Sequence, residues 1–465
     1  MGSQNPTLNG RRKFGYATGI FVDSFPYNCF YIYFMIFLTN VVGINPALAG
    51  TISLCSVCVD AVTDPIMGWL VDNPKIDIKK WMLWGGIATA VSICFVFYPL
   101  YASTAVQFVY YVAVSGIMWC AYTAFCIPYY AMVPQMTSDY NEQTQIRGLS
   151  GTINSIAVYG GCVLPILVIT AISEGGGDPV MAWFYAACVI GAISLFFTFV
   201  NYFSVKNVKF IETERPDKAE NFVKAYGEVF RLKPVKFFLA FVFLFIFGSA
   251  MASSNQTYLI IYAAGADPDS LAGTALMTLL AFLIISPVAT AISQKYDRKV
   301  AIYVLLGIAA AGTLIIRIIG IHNLTPVYFL TAIACVGTAA FWCLFYTFCY
   351  DIVALDQYKN GKNREGIITG LPNFILKLAN AVGLQTIGII LTLVGYDATQ
   401  EAQTERAVSG IVNISTTFFA ILMVLAIIMM VLYPITKKKY NKLLEAIDIK
   451  KENPEYHDPE LDALM

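Results

Sequence analysis

Residues 60–73 read DAVTDPIMGWLVDN, and they follow an apolar run from Pro46 to Val59 that holds no charged residue. Asp60 and Asp64 thus sit four apart inside a stretch long enough to cross a bilayer. A carboxylate in hydrocarbon costs about 2.5–3.5 kcal/mol on insertion scales, so such residues turn toward a protein interior, take partners and mark function. At i,i+4 spacing both carboxylates share one helix face. Side by side they disfavour double ionisation unless a cation lies between them.

The rest of the chain supports a membrane setting for this segment. Of its 465 residues 58% are hydrophobic and 13% charged, and the mean hydropathy is +0.65. Soluble domains carry about 25% charged residues, so a soluble enzyme or a nucleic-acid partner is not expected. The start MGSQNPTLNGRRKFG is polar and basic and the apolar run after it is too long for an h-region, so no signal peptide is expected. All eleven cysteines fall in apolar runs, where they act as small hydrophobes, and no disulfide framework follows. Cys55 and Cys58 form a CxxC that reads as coincidence within a helix. His322 and His457 lie in a loop and a tail, which excludes a histidine proton relay. No GxxxxGK[ST] is present, which argues against ATP-driven transport.

Twelve apolar runs reach spanning length: about 14–39, 46–71, 81–100, 105–133, 149–172, 180–204, 235–262, 270–292, 300–320, 325–352, 366–395 and 408–435. The even-numbered loops, the central linker and both tails hold 27 of the 30 Lys and Arg residues, so both termini are expected to be cytoplasmic. An internal repeat is also legible. Trp119-Cys120 and Phe125-Cys126 return as Trp342-Cys343 and Phe348-Cys349, Glu142 returns as Glu365, and Pro65 returns as Pro287, at offsets of 223 and 222. The expected architecture is an all-α membrane protein of twelve transmembrane helices. They form two six-helix pseudo-symmetric halves, 1–204 and 235–435, joined by a cytoplasmic linker 205–234 and followed by a tail 436–465. This is the major facilitator plan, whose site lies near the midplane. The tail KKKYNKLLEAIDIKKENPEY reads as a solvated charged end, with a short surface helix as the alternative.

At 1.5 Å per residue, Asp23, Asp60, Asp64, Cys126 and Lys377 fall at depths of roughly 10–18 Å. Three acids and one base from different helices are expected in one layer. Thr63 and Thr123 add hydroxyl oxygens suited to a hard cation, and Lys377 supplies the competing positive charge when the cation is absent.

With these residues in view, DAVTDPIMGWLVDN resembles the second-helix signature of the glycoside–pentoside–hexuronide:cation symporters, the melibiose carrier family. FGYATGIFVDSFPYNCFYIY, YTAFCIPYYAMVP and AAFWCLFYTFCYDIVALDQYKNGKNREG are similar to its first, fourth and tenth spans, so the resemblance runs from about Phe14 to about Gly395. It implies a cation site of Asp60, Asp64, Thr63 and Thr123 for a monovalent ion, with Lys377 nearby in a coupling role. It also implies a substrate site with Asp23, Trp342 and positions on spans 4 and 5; Tyr122, Cys126 and Tyr130 on span 4 and Tyr27 on span 1 are taken as further candidates. The chain departs from melibiose-type members at three places. Cys126 stands for an acid, Tyr130 for a Trp, and Ser150 for an arginine that Arg147 precedes by about one turn.

The function expected is a sodium- or proton-coupled symporter importing a glycoside, sugar or hexuronide. It would need no cofactor and no enzyme activity, and would work as a monomer in the plasma membrane. A less polar solute, steroid-like or lysolipid-like, is the alternative within this class. Outside it stand a membrane-embedded enzyme using the paired aspartates and a passive channel, which would not need the lysine.

Overall fold

In a computed structural model the described residues are 8–72, 77–208, 210, 221–266, 270–362, 364–396, 400, 402–453, 455–462 and 464, and among them there is no strand. Eleven helices of the described chain are long and apolar enough to cross a membrane. They coincide with eleven of the twelve expected spans. The third, expected at 81–100, is the helix Ile78–Val96, which begins on an Asp77 N-cap and carries Lys79 and Lys80 in its first turn. It packs against Thr104–Met136 and Pro179–Val205, so its place is that of a spanning helix although its basic start lowers its apolarity. Side chains such as Leu54, Val62, Trp84 and Ile318 are exposed. Apolar exposure on this scale suits a lipid solvent.

The chain forms two compact units, Met1–Phe222 with Lys362–Leu371, and Val223–Gly361 with Pro372–Met465. The first turns of the Glu365–Val394 helix thus belong with the first unit. Asp72, just past the Pro46–Val71 helix, explains why. Its carboxylate accepts hydrogen bonds from the backbone N–H of Gly366 at 2.6 Å and of Ile367 at 2.8 Å. A helix start offers unsatisfied N–H groups and the positive end of its dipole, so an acid is stabilising there. The approach is close enough to need glycine on both sides. A Cβ on Gly68 would lie 2.6 Å from the Gly366 carbonyl oxygen, and one on Gly366 would meet the Gly68 carbonyl. Within the expected linker, Phe222–Arg231 forms a helix with Ala225, Tyr226 and Val229 buried.

The repeat extends to local features that residue identity does not reveal. The first span ends in a π-helical turn, Phe37–Val41, and the seventh in another, Leu259–Ala263. The first is followed by Gly43 at φ +80° and the second by Gly265 at φ +63°. Asp77 and Asp297 each cap the helix that begins at the next residue, the third and the ninth span. Lys79 Nζ donates to the Val208 carbonyl at 2.6 Å, and Lys299 Nζ to that of Tyr433, tying third to sixth and ninth to twelfth spans in the same way.

The tail departs from expectation. Residues Lys437–Glu452 form a helix that packs on the Leu324–Asn360 helix, with Tyr440, Leu443, Ala446 and Ile447 buried. Beyond it Leu461 is buried as well, and Tyr358 donates to Asp462 while accepting from the Asp458 N–H. The basic face that suggested a solvated end hides an apolar stripe at helical spacing.

Candidate cation and solute site

The Pro46–Val71 helix buries one face and exposes the other. Ile52 and Ser56 are buried in line with Asp60 and Asp64, whereas Leu54 and Val62 are exposed. This places both carboxylates toward the Thr104–Met136 helix, against which the helix packs. The two run in register. Ser56 and Ser115 share a hydrogen bond at 2.5 Å, and two turns on, Thr63 and Thr123 approach with hydroxyl oxygens 3.1 Å apart. Thr123 Oγ1 donates to Asp64 at 3.4 Å, and Thr63 Oγ1 donates to the Asp60 carbonyl at 3.0 Å. Asp60 is fully buried and Asp64 nearly so, at 0% and 4% exposure. Asp64, Thr63 and Thr123 are therefore brought together, with Asp60 one turn before Asp64 on the same buried face, and all four carry oxygens of the hard kind that alkali cations or a proton prefer.

Beside this group, Asp23 projects from the first span, one turn into the helix Ile20–Ile36. Its carboxylate accepts from Tyr122 on one oxygen and from Tyr130 on the other, the latter at 2.5 Å. Cys126 Sγ donates to the same carboxylate at 3.3 Å. The three donors recur along one face of the Thr104–Met136 helix. The guanidinium of Arg147 lies 4.8 Å from the centre of the Tyr130 ring, a cation–π contact. Tyr27 lines the same region, its ring 6.2 Å from that of Tyr122 and 6.0 Å from Trp119. Trp342 is half-buried in the second unit, edge-on to Phe341 at 5.3 Å. Lys377, also in the second unit, is half-buried on the Glu365–Val394 helix.

Three polar features escaped sequence reading. The Ser56–Ser115 pair looks like small residues in an apolar run. Asp72 looks like a loop acid. Arg298 counted as a loop cation, yet it and Asp351 are buried and joined in an ion pair, with Arg298 also donating to the Thr347 carbonyl at 2.9 Å. A signal for the last was available: Asp351 ends a long apolar run, where an acid requires a partner.

Helices in two similar units with paired acids buried in one of them define a multi-span membrane carrier of the major facilitator fold. A family model described as MFS/sugar transport protein matches residues 15–437, and the chain belongs to that family. It is 23% identical to the putative glycoside/cation symporter YagG of Escherichia coli, with 92% of this chain and 93% of that protein covered. It is 26% identical to the isoprimeverose transporter of Lactiplantibacillus pentosus, over 86% of this chain and 83% of the relative. Among solved structures, the E. coli fucose:proton symporter superposes with a TM-score of 0.66 at 13% identity, covering 90% of this chain and 98% of that one. This last likeness is one of fold.

Proposed function

We propose that the chain is a cation-coupled symporter of the plasma membrane that imports a glycoside, sugar or hexuronide, with Na+ or H+ as the coupling ion. The observation that carries this reading is the adjacency, within one unit, of a buried hydroxyl–carboxylate group, Asp60, Asp64, Thr63 and Thr123, and a second carboxylate, Asp23, ringed by phenols. In this reading the first group holds the cation and Lys377 competes with it for the carboxylates. Asp23, Tyr27, Tyr122, Cys126, Tyr130 and Trp342 hold the solute. A hydroxylated solute suits Asp23, whose oxygens accept hydrogen bonds, and the aromatic side chains offer an apolar face. The names of two relatives, a putative glycoside/cation symporter and an isoprimeverose transporter, support the solute class. Both termini face the cytoplasm, the working unit is a monomer, and neither cofactor nor chemical step is involved.

One observation favours a less polar solute within this class. Cys126 gives Asp23 a weak thiol donor where melibiose-type members carry an acid, so the pocket offers a single carboxylate to solute hydroxyls. Amphipathic glycosides then fit better than free polyhydroxy sugars.

The test is uphill uptake into membrane vesicles under an imposed Na+ or pH gradient. The wild type accumulates solute. Asp60→Asn and Asp64→Asn lose accumulation while retaining exchange, because the charge that the cation neutralises is gone; about 2.3 kcal/mol per charge per 100 mV of driving force is at stake. A variant that still concentrates solute removes these residues from the cation site.

A further inference from the structure

Asp23, Tyr27 and Tyr31 stand at i, i+4 and i+8 on one face of the first span. At about 1.5 Å per residue they make a strip about 12 Å long, more than one sugar ring covers. Exposure rises along it: Asp23 and Tyr27 are half-buried, whereas Tyr31 is 40% exposed. The fourth span supplies a third phenol, Tyr122. Its hydroxyl donates to Asp23, and its ring lies 6.2 Å from that of Tyr27, which in turn lies 4.5 Å from Tyr31. Tyr122 therefore belongs both to the carboxylate cluster and to the aromatic strip.

One buried side chain backs all three rings. Trp119 is fully buried, and Tyr27, Tyr31 and Tyr122 meet it at centroid distances of 6.0, 5.7 and 5.1 Å with interplanar angles of 83°, 66° and 84°. Phe30 closes its side at 5.1 Å and 77°. Steep edge-on contacts of this kind are favourable beyond the area they bury. Among the described residues the indole N–H has no hydrogen-bond partner, so ring packing alone fixes Trp119. The three phenols it backs offer carbon surface along the strip, and none of them carries a charge.

Resting on the symporter reading above, we propose that this strip is an aglycone subsite and that the solute is a glycoside carrying an aromatic aglycone. Asp23 accepts hydrogen bonds from the sugar hydroxyls. The aglycone lies on the rings of Tyr27 and Tyr31, which makes Tyr31 a further solute contact. Trp119 is a positioning residue: it touches no solute and sets the angle at which the three phenols present themselves. A methyl glycoside fills only the Asp23 end, so recognition of the longer solute is decided at Tyr31.

Affinities of phenyl and methyl glucosides, galactosides, xylosides and glucuronides for the purified full-length protein are measured by calorimetry, with Na+ and with K+ and at acid and alkaline pH. The readout is the ratio of phenyl to methyl affinity for the best-bound sugar. Wild type is expected to favour the phenyl glycoside by about tenfold or more, the scale on which an apolar pocket discriminates small groups. Tyr31→Ala brings the ratio to within about threefold of one. Tyr31→Phe, which keeps the ring, keeps the ratio. Trp119→Phe lowers phenyl affinity more than methyl affinity, because a smaller ring lets the phenols turn; equal loss of both removes the positioning role and leaves Trp119 a packing residue. A wild type with no phenyl preference overturns the subsite and leaves the symporter reading in place. So does a preference that Tyr31→Ala retains, with or without loss of both affinities. A wild type that binds no member of the panel under any condition overturns the symporter reading, and the subsite with it.

Discussion

At the scale of single residues, the Asp23 cluster turns on hydrogen-bond supply. The carboxylate receives two phenols and a thiol from one helix face, and Cys126 is the weakest of the three donors. Cys126→Asp replaces that donor with a second carboxylate. Two acids so close cannot both ionise without cost, and a solute face that met the thiol would then meet a charge. Affinity for the solute is expected to fall by tenfold or more, about 1.4 kcal/mol, and Cys126→Ser to restore it. Calorimetry of the purified variants checks this; equal affinities in all three would place Cys126 outside the solute contact. The paired aspartates were legible in the sequence because a charge in an apolar run is rare and costly. The phenol donors were legible only as aromatic residues, since nothing in their order says which of them meets Asp23.

At the scale of elements, two contacts define how helices end. Gly68 and Gly366 let the Pro46–Val71 and Glu365–Val394 helices meet at backbone distance, with Asp72 closing the second helix's N-terminus. Gly366→Ala forces them apart, because the added Cβ meets the Gly68 carbonyl oxygen rather than a flexible side chain. Overpacking costs typically 1–3 kcal/mol, and about that loss of stability is expected with both Asp72 hydrogen bonds. Gly388→Ala, in the same helix with nothing within 4 Å of its Cβ, is the silent control. Thermal unfolding in detergent compares the two. The tail supplies a pH-dependent contact. Lys442 bridges Asp458 at 2.9 Å and Glu460 at 2.7 Å, and these bonds hold both carboxyls below their ordinary range. Depressed carboxyls stabilise docking above their unfolded pKa and lose that contribution as pH falls through the folded value. Limited proteolysis of the tail should therefore accelerate on acidification into and below the ordinary carboxylate range and show no such step in Lys442→Met, where the tail is loosened throughout.

For the molecule as a whole, the distribution of basic residues is the orienting force. With 27 of 30 Lys and Arg in the even loops, linker and tails, reporter fusions at either terminus are expected to be active on the cytoplasmic side, and a cysteine placed in the loop after residue 320 to be labelled from outside. A terminus that reports from outside would break the twelve-span count. The count itself rests on Ile78–Val96, which with its basic first turn is not among the eleven helices apolar enough to cross by composition and whose packing against two long helices places it with them.

Hydropathy, charge placement and the spacing of Asp60 and Asp64 determined from sequence alone that this chain is a helical membrane carrier with acids in its interior. Such properties are local: each span reads out its own solvent, and a buried charge announces itself by cost. Tertiary structure decided what depends on which faces meet. It paired Ser56 with Ser115, drew Arg298 out of its loop to Asp351, set Asp72 on the N-terminus of a helix nearly three hundred residues away, and folded the tail onto the Leu324–Asn360 helix. None of these partners is near in sequence, and an apolar helix with hydrophobic residues on every side does not encode which face it will bury.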